Sequence, residues 1–258
     1  MMTITEKKGI LRIALYAGEI MLKNGAEIYR VEDTIIRICT SKNLNHVNAF
    51  VTPTGIFVSD DRMDGISFIK RIKNRSLNLH KVSMVNNFSR GYVNSTMGIS
   101  QALTQLKKID ESDKYPLPVR VFFTGVIGGF FSLMFGGQFL DFISASIISM
   151  VSIFIADQID KISDTSFFPT IIASSTIGLL GILFTLIGIG KSLDMIIVGS
   201  LMPLVPGVAF TNGLRDFISG DLIAGLTKIF EAIFIAICIA VGIGIVFQLW
   251  VSWFGGAF

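Results

Sequence analysis

Val121–Ala156 reads VFFTGVIGGFFSLMFGGQFLDFISASIISMVSIFIA, a run whose one charge is Asp141. About 20 apolar residues cross the hydrocarbon core of a bilayer, so this run holds two crossings joined at Gly136-Gly137-Gln138. Three later stretches share its character: Thr165–Gly190, Met195–Leu214 and Ala232–Phe258 contain no Asp, Glu, Lys or Arg. Nothing before Pro116-Leu117-Pro118 is comparable. The chain therefore reads as an α-helical membrane protein, a small α/β domain over 1–115 followed by a membrane domain over 116–258. Five transmembrane helices are expected, at 119–135, 139–156, 169–188, 195–210 and 228–253.

Charge follows the same division. Residues 1–120 hold 18 Lys/Arg against 11 Asp/Glu, and residues 121–258 hold 4 against 8. Cytoplasmic segments of membrane proteins carry the excess of Lys and Arg, which puts the small domain in the cytoplasm and the chain in the cytoplasmic (inner) membrane. Trp250 and Trp253 then sit at the outer interface, where indole rings are enriched. Outside Lys70–Arg75 the basic residues lie among acids, so the positive half argues for orientation and against a nucleic-acid partner. Met1–Lys8 has no apolar stretch and reads as no secretory signal. Two cysteines, Cys39 and Cys238, exclude a disulfide framework and read as buried thiols.

The small domain mixes two periodicities. Ile10, Ile13, Ala17 and Ile20 recur at helical spacing over 4–22, and Asn24-Gly25 ends that helix because glycine accepts a left-handed cap. Ile28, Val31, Ile35 and Ile38 form the stripe of a second helix over 26–41, with Glu27, Arg30, Asp33 and Arg37 on its wet face. Then Val47, Ala49 and Val51 alternate, Thr52-Pro53-Thr54-Gly55 interrupts, and Ile56-Phe57-Val58 resumes, a hairpin pattern. A third strand is expected at 66–72, and helices at 79–94 and 99–109. There is no GxSxG, HExxH, Walker loop or glycine-rich fingerprint, so no catalytic residue, metal or cofactor is assigned. His46 and His80 stand alone, and Asp60, Asp61 and Asp64 make an acidic turn.

One segment departs from ordinary membrane packing. Gly199–Asp221 reads GSLMPLVPGVAFTNGLRDFISGD, with Pro203, Pro206 and Gly207 inside an expected crossing. Each proline removes a helical donor, and a break at that depth is tolerated only where the freed carbonyls face protein or a watery cavity. Transporters bind ions and polar solutes at such breaks. Thr211, Asn212, Arg215 and Asp216 follow as a compact polar set, so the candidate substrate-binding residues are Pro203, Pro206, Gly207, Thr211, Asn212, Arg215 and Asp216. Glu231, three residues after Lys228, and Asp141 are the acidic groups of the expected spans and the candidates for proton coupling.

Two stretches resemble the threonine/serine exporter family in its shorter, split-subunit form. One is Gly18–Asp33, GEIMLKNGAEIYRVED, with the hairpin ending Thr52–Ser59; the other is Pro206–Gly225, PGVAFTNGLRDFISGDLIAG. The resemblance implies export of small hydrophilic metabolites, serine and threonine or a dicarboxylate such as succinate. It also implies a second, smaller membrane subunit supplying the other half of the carrier, with a small-molecule solute and the lipid bilayer as the remaining partners. Two other readings stay open at this point: a membrane-tethered enzyme and a regulatory membrane subunit, each with the N-terminal domain as the active part.

Overall fold

In the computed structural model residues 3–61, 65–73, 75–112, 115–163, 165 and 167–255 are described. The chain forms two compact units. One comprises Met1–Asp113 with Val208–Phe230, and the other Lys114–Gly207 with Glu231–Phe258.

The first unit opens with helix α1 (Ile4–Lys23), capped by Thr3 in a reciprocal capping box with Glu6. It stops in a Schellman arrangement: Ala26 N–H donates to Met21 C=O at 3.1 Å and Gly25 N–H to Leu22 C=O at 3.3 Å. Gly25 holds φ +88°, which a side chain would strain. Helix α2 (Ile28–Thr40) follows after four residues and buries Ile28, Val31, Ile35 and Ile38 completely. Each such side chain contributes roughly 1.5–3 kcal/mol of transfer free energy, which is what fixes the helix on its neighbours. Gly18 of α1 lies against Ile35 and Val31, so the two helices approach closely.

Strands β1 (Val47–Thr52), β2 (Gly55–Asp60) and β3 (Ser67–Arg71) form one antiparallel sheet in the order β1-β2-β3. Val51, Ile56 and Val58 turn into the core, while Phe50 pairs with Phe57 on the exposed face with ring centroids 6.1 Å apart. Helices α3 (Leu79–Val93) and α4 (Ile99–Asp110) complete the N-terminal part, adding Val82, Val85, Tyr92, Ala102 and Leu106 to the core. Of the acidic turn, Asp60 is buried, Asp61 is exposed, and Asp64 lies outside the described residues.

The second unit holds α5 (Leu117–Met134), α6 (Phe139–Asp160), α7 (Phe167–Leu186) and α8 (Leu193–Leu201). Small residues line the α5–α6 contact: a Cβ on Gly125 would meet Ser146 C=O at 2.9 Å, and Gly129 abuts the Phe142 ring. Gly199 of α8 reaches α5, where a Cβ would lie 2.7 Å from the Gly128 carbonyl. After α8 the chain makes a 3₁₀ turn (Met202–Leu204) containing Pro203, and Val205 is extended. Helix α9 (Gly207–Ile218) then begins, and α10 (Leu222–Phe254) closes the chain. α5, α6, α7 and α10 are each long and apolar enough to cross a membrane, and α8 with α9 make a fifth crossing if the bent pair is one span. Among the described residues the chain is thus mostly helical, with four or five candidate spans and a small three-stranded sheet.

Candidate functional site

The four residues between α1 and α2, Asn24 to Glu27, make the first half of a polar cluster. The Schellman stop turns Gly25 and Ala26 so that their carbonyls leave the helix ladder, and α2 starts with no side-chain cap of its own and no acid in its first turn. Its first N–H groups therefore need partners from elsewhere.

Helices α9 and α10 supply them. They cross at glycine: a Cβ on Gly225 would stand 2.6 Å from Phe217 N and 2.8 Å from the Gly213 carbonyl. That approach brings Asp216 and Lys228 together, with Lys228 Nζ 2.6 Å from Asp216 Oδ2. The other oxygen, Asp216 Oδ1, accepts the Ile28 N–H at 3.1 Å. Asp216 is fully buried, so its carboxyl group meets the positive end of α2 away from water. Lys228 Nζ also donates to Ala26 C=O at 3.3 Å, and Asn212 Nδ2 donates to Gly25 C=O at 3.0 Å.

Glu27 is the second anion of the cluster. Its Oε1 takes Arg215 NH1 at 2.5 Å and its Oε2 takes Arg30 NH1 at 2.9 Å. Burial alone would raise its pKa, but its own backbone N–H and the two guanidiniums outweigh burial and hold it below the ordinary glutamate value. Glu32, one turn along α2, behaves oppositely. It accepts Val51 N–H at 2.9 Å, yet burial first and the Asp221 and Asp216 charges next push its pKa up.

The expected residues thus fall into two groups. Asn212, Arg215 and Asp216 meet at the α1–α2 connection; Thr211, exposed on the same helix, donates its hydroxyl to Val208 C=O at 3.1 Å. Pro203, Pro206 and Gly207 lie at the break itself, where Gly207 N–H donates to Val205 C=O at 2.8 Å. Glu231 is half-buried on α10. Asp141 stands in the second unit, fully buried at the start of α6. It accepts backbone N–H groups from Gln138 at 2.8 Å, Lys191 at 2.6 Å and Ser192 at 3.0 Å. Ser144 Oγ adds a bond to Ile189 C=O at 3.2 Å, so the start of α6 clamps the α7–α8 loop.

Sequence reasoning did not assign Glu27 or a role for Lys228 in this cluster. Lys228 reads naturally as an interfacial partner of Glu231 three residues on. Its ammonium instead reaches Asp216 across the Gly213–Gly225 crossing, and that glycine pair is the signal that points to the contact.

The two segments joined here are the two that carry the family resemblance, and a family model described as "Putative threonine/serine exporter" matches residues 12–250. The chain belongs to the threonine/serine exporter family. Within the curated relatives, a "Probable threonine/serine exporter" from Mycobacterium tuberculosis H37Rv is 20% identical over 240 residues, covering 91% of this chain. The chain spans 45% of the length of that relative. A "Probable succinate transporter subunit YjjP" from Klebsiella aerogenes is 20% identical, covering 95% of this chain and 96% of its own. The Escherichia coli K12 protein of the same description is also 20% identical, covering 96% and 98%. No solved structure matches this member of the family.

Proposed function

We propose that the chain is one subunit of a secondary exporter of small hydrophilic metabolites, serine and threonine or a dicarboxylate such as succinate. It sits in the cytoplasmic membrane with the 1–115 domain on the cytoplasmic side, and it works with a second, smaller membrane subunit. The observation that carries this reading is the interruption of an apolar helix at Met202–Pro206, followed at once by α9 with Asn212, Arg215 and Asp216 on one face. Family membership, and relatives described as an exporter and as transporter subunits, support it. The lysine and arginine excess of the first 120 residues supports the orientation.

In this mechanism the backbone at Pro203, Pro206 and Gly207 and the side chains of Thr211 and Asn212 bind the polar body of the solute. Arg215 takes its carboxylate. The Arg215 side chain is 59% exposed while its partner Glu27 is 7% exposed, so the guanidinium can exchange one carboxylate for another. Asp216 and Lys228 hold α9 in place rather than meeting the solute, since both carboxylate oxygens are already engaged. Glu231 carries the coupling proton, and Asp141 fixes the α7–α8 loop.

Efflux from cells preloaded with a threonine-containing dipeptide or with succinate tests the reading. Faster efflux of one solute when the chain and a partner subunit are expressed together, lost in Arg215→Ala, is the expected result. No acceleration of either, with both proteins present in the membrane, overturns it.

A further inference from the structure

The N-terminal unit carries an open pocket of about 440 Å³ that the exporter mechanism does not use. One face of α1 forms its wall through Arg12, Leu15, Tyr16 and Glu19, at the i, i+3, i+4 and i+7 positions of a helix. α4 adds Leu103 and Asp110, and β3 adds Lys70. The volume lies within the roughly 300–1,000 Å³ of small-molecule sites.

The charges around this cavity are unevenly matched. Glu19 is buried and takes Lys23 at 2.6 Å and Lys70 at 2.9 Å, so it is neutralised within the protein. Asp110 receives the Tyr16 hydroxyl on Oδ2 at 3.0 Å, and its Oδ1 has no partner among the described residues. Arg12 has neither an ion pair nor a hydrogen bond among the described residues. One cation and one anion therefore face a single cavity without meeting each other, beside two leucines.

We infer that this cavity binds a free α-amino acid, with Arg12 on the carboxylate, Asp110 on the ammonium, and Leu15 and Leu103 against the side chain. A guanidinium offers a carboxylate two parallel donors, which a lysine cannot. A dicarboxylate fits worse, because its second carboxylate would face Asp110, and Lys70, the other cation lining the pocket among the described residues, already pairs with Glu19. A zwitterion satisfies both charges and brings in no net charge. The site also lies on α1, the helix whose C-terminal connection receives Asn212 and Lys228. Occupancy is thus placed to bias the segment that holds α9, which makes the small domain a sensor of amino-acid level.

Hydrogen–deuterium exchange on the full chain in detergent tests this with L-threonine as probe. N-acetyl-L-threonine, which lacks the ammonium, and succinate serve as controls. L-Threonine is expected to slow exchange in peptides covering Arg12–Glu19 and Leu103–Asp110, and the two controls are not. Arg12→Ala and Asp110→Asn are each expected to raise the Kd about tenfold, the effect of losing one charge-assisted contact of about 1.4 kcal/mol. Asparagine still accepts the Tyr16 hydroxyl, and Arg12 is exposed, so both variants keep the fold. Protection absent from these peptides, equal protection by succinate, or protection unchanged in both variants overturns the inference. Efflux that persists in Arg12→Ala separates this outcome from a failure of the exporter reading, which stands or falls with Arg215.

Discussion

The carboxylate of Asp216 accepts the backbone N–H of Ile28 at 3.1 Å, a bond between residues 188 positions apart. It does the work of a helix cap, but the cap comes from another part of the chain. The consequence is that α2 and α9 cannot separate without exposing an unsatisfied helix N-terminus, and Lys228 would lose its counter-ion in the same step. The α1–α2 connection is thereby tied to the helix that follows the break at Pro206.

Asp216→Ala is expected to destabilise the protein by about 3–5 kcal/mol, because it strands a nearly buried ammonium. Replacing both members, Asp216→Ala with Lys228→Met, is expected to cost less than the single change. Thermal unfolding in detergent across the full double-mutant cycle measures this. A double variant as unstable as the sum of the singles would show that the two charges are not coupled.

Arg215→Ala should behave differently. Its side chain is largely exposed, so solvent screening holds its pair with Glu27 to roughly 1 kcal/mol or less. The variant is expected to unfold near the parent's temperature and to lose efflux, and Arg215→Lys is expected not to restore it. Efflux and melting measured on the same preparations check the split. Parallel loss of both would make Arg215 a structural residue.

Much of the N-terminal architecture is legible from local patterns. Ile28, Val31, Ile35 and Ile38 announce α2, Asn24-Gly25 announces the end of α1, and Thr52-Pro53-Thr54-Gly55 announces the β1–β2 turn, because each signal lies within a few residues. The proline-containing break is legible for the same reason. The partners of Asp216 and Arg215 are not. Periodicity says which face of a helix is wet, but it does not say that Glu27 and Ile28 lie opposite residues near 216. Nor does it distinguish a solute-binding carboxylate from one already committed to a helix N-terminus. Asp141 hides its role similarly, since two of its three donors come from a loop 50 residues away.

Glu32 gives the molecule a pH-dependent stability of definite sign. Its folded pKa is raised, so the folded state binds its proton more tightly than the unfolded chain, where the value is about 4.3. Its unfavourable contribution is absent below that value and grows as pH rises through the folded pKa. Glu32→Gln keeps an acceptor for Val51 N–H and removes the charge. The variant is expected to be more stable than the parent at pH 7 and to converge with it below about pH 4. Chemical denaturation at a series of pH values reads the difference, and a gap that widens on acidification would contradict the assignment.

Asp141 separates a clamp from a proton carrier. Asp141→Ala leaves three backbone N–H groups without their acceptor, and each such loss costs on the order of 1–3 kcal/mol, so marked destabilisation is expected. Asp141→Asn keeps one carbonyl oxygen for Lys191 and Ser192 but cannot take up or release a proton in the transport range. With the carboxylate acting as a loop anchor, the asparagine variant retains efflux with the parent's pH profile at somewhat lower thermal stability. Glu231→Gln, by contrast, is expected to flatten the pH dependence of efflux. If Asp141→Asn flattens it and Glu231→Gln does not, the coupling proton belongs to the α6 carboxylate, and the loop contacts are what position it.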